Sequence, residues 1–212
     1  MREYRRQTSA LPSAHFTALR DALLSSPLVG RSTLAGPFQS SRGFAVIFRE
    51  EGRDKVLERF PSLKPYFDAV LGVPAVRALT PWWVRQLTRI PNAWYLNVLL
   101  VSEGGTVARH VDATLRKPAE EADAIPELVS VLYLSVPNAR GGDLQLWNGP
   151  TPITRLPPKE NALVHFRGDL AHQVNAFEGA AGAVRASLVI EQYHFGAEAL
   201  ARLPEFRLES RA

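Results

Sequence analysis

From Pro91 onward the chain is a succession of short apolar runs cut by turn residues, and this alternation limits the fold more than any other feature. The runs cover 93–101, 106–112, 128–136, 142–147, 161–166, 171–177 and 184–195. Between them lie PNARGG at 137–142, NGPTP at 148–152 and EGAAG at 178–182. Seven short strands joined by Gly- and Pro-rich turns predict a mainly β fold: a sandwich, a jelly roll or a small barrel. Before Pro91 the pattern differs. Apolar residues recur at mixed three- and four-residue spacings over 13–25, 53–60, 65–71 and 74–88, which predicts short helices, with one strand at 43–49 (GFAVIFR). Such helices would buttress one sheet and leave the mouth of the β unit as the natural site. A single domain over 1–212 is expected, with helical support in 1–90, the β core in 91–195 and a tail in 196–212 that ends in a helix or a loose end.

Composition removes several classes of function. The 212 residues contain no cysteine, which excludes thiol catalysis, CxxC redox chemistry and thiolate-bound metals. A chain of this length buries roughly 70% of its unfolded surface, so it needs no disulfide to hold a core. No apolar run approaches the roughly 20 residues that span a bilayer, and MREYRRQTSALPS carries no apolar stretch of the signal-peptide kind. A cytoplasmic protein with no membrane partner is the resulting expectation. Of the 25 basic residues only Lys55, Lys64, Lys117 and Lys159 are lysine, and arginine suits anionic ligands. The net charge of +4 forms no basic stripe, so nucleic acid is not an expected partner.

His110 and Asp112 form an H-x-D pair at the end of one strand run. Residues i and i+2 of a strand share a face, so an imidazole and a carboxylate converge. A second imidazole would complete a face of two histidines and one carboxylate with three positions left open, the set suited to non-haem Fe(II) and O2. His172, in DLAHQV, is the best candidate; His165, inside ALVHF, reads as structural. Arg185 and Ser187 open RASLVIEQY and share a strand face, so a guanidinium and a hydroxyl can grip one carboxylate. Tyr133, in VSVLYLS, can add a phenolic donor. A metal at one end and a carboxylate clamp deeper in would suit a small dicarboxylate that chelates the metal with its other end.

GTVARHVDA, VSVLYLS, GGDLQLW and NALVHFRGDLAHQV…VRASLVIEQY resemble, in order, the strands of the prolyl-hydroxylase-type 2-oxoglutarate, Fe(II)-dependent dioxygenases, over about residues 93–195. The resemblance implies a double-stranded β-helix. It implies that His110, Asp112 and His172 bind Fe(2+) and act catalytically, and that Arg185, Ser187 and Tyr133 hold the 2-oxoglutarate C5 carboxylate, with Leu144 as a wall. It further implies hydroxylation of an unactivated C–H bond with release of succinate and CO2, with ascorbate as a candidate reductant. Retention of Asp112 argues against a halogenase, in which a small residue makes room for halide.

Two positions depart from that family. Leu100 and Val101 stand where a tyrosine often precedes the first metal histidine, leaving Tyr95 or Asn97 as substitutes, and Glu191 occupies an aromatic position of the last strand. Both fall where substrate is recognised. A polar small molecule, amino acid or peptide is the expected substrate, with Arg109 and Arg116 as candidate contacts and segments 38–53 and 113–127 as lids. The rival expectations are a protein side-chain (prolyl-type) hydroxylase, an alkylated-base oxygenase and a non-catalytic cupin-like metal sensor.

Overall fold

The computed structural model describes residues 2–31, 41–72, 77–80, 89–117 and 122–212. The N-terminal part contains β1 (Tyr4–Gln7), α1 (Ser13–Leu24), β2 (Gly30–Arg31), β3 (Arg42–Arg49), α2 (Arg53–Arg59) and α3 (Lys64–Val70). Then come β4 (Ala93–Ser102), β5 (Val107–His110), β6 (Arg116–Lys117), β7 (Ala122–Asp123), β8 (Leu128–Ser135), β9 (Arg140–Gly141) and β10 (Leu144–Asn148). The chain continues through β11 (Thr151–Leu156), β12 (Leu163–Arg167), β13 (Ala171–Val174), β14 (Phe177–Glu178) and β15 (Val184–Tyr193), and ends with α4 (Ala197–Ala201) and β16 (Phe206–Glu209). The helix expected at 74–88 and Trp82–Trp83 within it fall mostly outside the described residues.

Among the described residues the strands form two main antiparallel sheets. The larger runs β1-β12-β8-β15-β4-β3-β16, with β2 on β3; the smaller runs β11-β10-β13-β5. The chain crosses between sheets as it proceeds: β4, β8, β12 and β15 join the larger one, and β5, β10, β11 and β13 the smaller. That alternation is the double-stranded β-helix, and the expected jelly roll is what forms.

Period-two alternation assigns the two faces of the larger sheet. Trp94, Leu96 and Val98 of β4 and Leu188 and Ile190 of β15 turn outward onto Phe16, Leu19 and Leu23 of α1, Val56 of α2 and Tyr66, Phe67 and Val70 of α3. Phe16, Leu19 and Leu23 recur at helical spacing, so α1 offers one apolar stripe. Phe48 stacks between Phe67 (centroids 5.3 Å apart) and Trp94 (5.1 Å), joining helix to sheet. Each such buried aromatic or aliphatic side chain contributes roughly 1.5–3 kcal/mol. The opposite face closes on the smaller sheet, where Leu99, Val131, Tyr133, Leu144, Leu146, Phe166 and Val174 fill the space between the sheets.

Three expectations need correction. Residues 151–156, whose first two were read as turn, form β11, an edge strand paired with β10. The tail ends in β16, which pairs with β3 after the short α4. Segment 38–53 is no lid over its described part, because Arg42–Arg49 is a strand held between β4 and β16.

Candidate metal centre and anion clamp

The metal candidates come together through cross-strand register. His110 of β5 pairs directly with His172 of β13. Val107 and His110 are three positions apart, so strict alternation would put them on opposite faces. A register shift between His172 and Val174 resolves this, and both Val107 and His110 line the interior cavity. Asp112 follows two residues past the end of β5 and is buried.

The ligand atoms of His110, Asp112 and His172 all lie within 4.8 Å of one another. Asp112 Oδ1 stands 3.2 Å from His110 Nε2, and Oδ2 stands 3.5 Å from His172 Nε2. His110 Nδ1 donates to the Ala108 carbonyl at 2.7 Å and His172 Nδ1 to the Leu170 carbonyl at 3.3 Å. A carbonyl can only accept, so each Nδ1 carries the proton and Nε2 is left as the ligating atom. Phe166 packs its ring against His172, with centroids 4.9 Å apart, and fixes the second imidazole further.

Electrostatics match that geometry. Burial pushes the His172 imidazole down, and the Asp112 charge offsets only part of it. Burial also opposes charge on His110, but the hydrogen bond and the charge of Asp112 outweigh it and push this imidazole up. Burial alone would raise Asp112, yet the two imidazoles hold it below the usual carboxylate range. An ionised buried carboxylate, whose Oδ2 accepts no hydrogen bond among the described residues, and two Nε2 atoms converge on one point. Two nitrogens and one oxygen of this kind fit a non-haem iron ion with open positions.

The anion clamp lies on the interior face of β15. Arg185 is 2% exposed, and its Nε and Nη1 have no hydrogen-bond partner among the described residues; nor does the buried hydroxyl of Tyr133. The guanidinium carbon sits 5.0 Å from the Tyr133 ring centroid, and Ser187 is the register partner of Tyr133. Burial lowers the basicity of Arg185 and raises the Tyr133 phenol. Buried donors of this strength call for an acceptor, and a carboxylate fits them. Leu144 and Asn97 line the same cavity. Tyr95 packs with Ala45, Ile47, Leu115 and Tyr193 instead.

No family model matches the chain, and no curated protein matches it by sequence. Solved structures do match over nearly the whole chain. A prolyl hydroxylase from Trichoplax adhaerens, in complex with a hypoxia inducible factor oxygen degradation domain peptide, aligns with a TM-score of 0.61 at 15% identity, covering 95% of this chain and 87% of its own. A Pseudomonas putida prolyl-4-hydroxylase gives 0.56 at 19% identity over 92% and 95%. The fold is that of the 2-oxoglutarate, Fe(II)-dependent oxygenases. A further member of that oxygenase fold, from Burkholderia pseudomallei, aligns with a TM-score of 0.54 at 15% identity over 93% and 87%.

Of the two expected substrate contacts, only Arg109 has a described side chain, and it does not line the cavity. Arg109 lies 4.6 Å over the Trp147 ring and donates to the Gly149 carbonyl, so its charge is engaged away from the metal side chains. The Arg116 backbone pairs with Asp123, and its side chain lies outside the described residues. Glu191 lines the cavity instead, with Tyr193 and Thr114 bound to it. Sequence reasoning noted Glu191 only as a departure. Its i+4 and i+6 spacing from Ser187 and Arg185 was the signal that places it on the same interior face.

Proposed function

We propose that the chain is an Fe(II)- and 2-oxoglutarate-dependent hydroxylase of a polar small molecule, amino acid or peptide. The observation that carries the reading is the pairing, in one cavity, of the His110–Asp112–His172 set with buried Arg185, whose Nε and Nη1 have no hydrogen-bond partner among the described residues and which packs against Tyr133. Either alone is ambiguous; together they match a metal and a dicarboxylate chelated to it. Iron and 2-oxoglutarate together would activate O2, converting 2-oxoglutarate to succinate and CO2 and placing one oxygen atom on a substrate C–H bond.

The chain's own residues supply position and charge. His110, Asp112 and His172 hold the ion from one side. Arg185 and Tyr133 fix the far carboxylate of 2-oxoglutarate, with Ser187 beside them and Leu144 and Asn97 forming walls. Val107, Val131, Val174 and Val189 keep the cavity apolar between those ends, which excludes water and strengthens each charged contact. Ascorbate is the reductant to include in assays.

The test is succinate formation from 2-oxoglutarate under O2, with Fe(II) and a library of polar metabolites and peptides, followed by product mass spectrometry. A product 16 Da heavier than its substrate supports the reading. Metal binding without 2-oxoglutarate binding would favour the metal-sensor alternative.

A further inference from the structure

The interior face of β15 carries Arg185, Ser187, Val189, Glu191 and Tyr193 in alternation. Arg185 and Glu191 are six residues apart, about 20 Å along a strand. The cavity is therefore bipolar, with a buried cation at one end and a buried carboxyl at the other. Thr114, two residues past Asp112, hydrogen-bonds Glu191 through its amide and hydroxyl, which places the metal set at the Glu191 end. A dicarboxylate gripped at Arg185 leaves that end for the second ligand.

The hydrogen bonds at Glu191 show what is left to bind. Tyr193 Oη lies 3.1 Å from the Thr114 amide and 3.4 Å from the Leu115 amide, and both amides can only donate. Its own proton therefore goes to Glu191 Oε2. Oε2 also receives the Thr114 amide at 3.3 Å, while Oε1 faces the Thr114 hydroxyl at 2.7 Å. A carboxylate offers about four acceptor sites, so one remains on Oε1. The donors hold the group in place without supplying a positive charge. With a divalent ion and a dicarboxylate in place, Asp112, Arg185 and those two ligands balance, so no cation among them is left to neutralise an ionised Glu191.

We propose that Glu191 is the specificity-determining residue of this cavity and that its substrate carries a protonated nitrogen, an ammonium or guanidinium, near the C–H bond presented to the metal. This rests on the function proposed above and names its substrate class. Burial first, and the Asp112 charge second, push the Glu191 carboxyl up to about 8, so it holds its proton in the empty cavity and gives it up when a bound cation stabilises the carboxylate. The alternative is that Glu191 only tethers the loop after Asp112 through Thr114.

The experiment uses the full chain loaded with Zn(II), which does not turn over. Binding of pentylamine, pentanol and pentanoate is measured by ligand-observed NMR, with and without 2-oxoglutarate. The charged contact predicts that pentylamine binds about ten- to a hundredfold tighter than pentanol, with pentanoate weakest. Glu191→Gln should bring pentylamine and pentanol to parity. Thr114→Val, which cuts the tether but keeps the charge, should retain the preference. Equal binding of amine and alcohol in the wild type, or a preference that survives in Glu191→Gln, overturns the proposal. Calorimetry of 2-oxoglutarate in the same Zn(II) sample reports separately on the oxygenase reading, so the two can fail independently.

Discussion

His110 and His172 face one another as register partners across the β5–β13 ladder, with ring centroids 4.2 Å apart. Two strands far apart in sequence thus fix the imidazoles before any ion arrives, and the backbone carbonyls of Ala108 and Leu170 set both tautomers. His172→Ala removes one of the three candidate ligands from this preset face. Mn(II) affinity, measured by electron paramagnetic resonance titration, should fall by more than about a hundredfold, since even groups that only orient a ligand are worth 10–100-fold.

Arg185→Gln should act on the other end of the cavity alone. Losing a charged, buried hydrogen-bonding group predicts about a ten- to hundredfold weaker 2-oxoglutarate Kd, with Mn(II) affinity unchanged. Arg185→Lys keeps the charge but not the fork and should fall between. Calorimetric titrations on the Mn(II)-loaded protein read both.

Gly168 lies in the turn from β12 to β13, which delivers His172 to the cavity. A Cβ there would lie 1.8 Å from the Pro126 carbonyl oxygen, so Gly168→Ala forces backbone apart. A stability loss of about 1–3 kcal/mol is expected, or roughly 2–4 °C in Tm per kcal/mol for a chain of this size. Thermal unfolding followed by circular dichroism checks it.

His165 gives the pH dependence. It is buried, and Ser130 donates to its Nδ1 at 2.8 Å while Ser130 accepts from Gln192. Burial, aided by Arg5, pushes its pKa from 6.5 down to about 4. The unfolded chain therefore binds a proton that the folded one refuses. The stabilisation is full above pH 6.5 and is lost as pH falls toward 4, by about 3 kcal/mol in all. Urea denaturation of wild type and His165→Gln at pH 7.5 and 4.5 should show the smaller pH loss in the variant.

The sequence carried the core strands because their inward and outward faces are both covered, which writes long apolar runs such as AWYLNVLLV and LVSVLYL. Three of the strands it did not carry, β1, β11 and β16, are edges of the two main sheets. Edge strands keep one side in water, so YRRQ and TPITRL read as polar or as turn, and Pro152 is tolerated there. At the site, the convergence of His110, Asp112 and His172 was legible because an H-x-D pair and one further histidine are few enough in this sequence to be singled out by residue type. Arg109 neighbours His110 in sequence, yet its guanidinium lies over Trp147, because adjacent residues of a strand face opposite ways. Glu191 was hidden for the opposite reason: a buried carboxyl is legible only once the partners that pay for its burial, Thr114 and Tyr193, are seen around it.

The most direct test of the metal and clamp account is an anaerobic titration of the Fe(II)-loaded protein with 2-oxoglutarate, followed by visible absorption. The account predicts a weak charge-transfer band from the chelate, absent in His172→Ala and requiring far more 2-oxoglutarate in Arg185→Ala. Iron bound to the wild type with no band at saturating 2-oxoglutarate would contradict it.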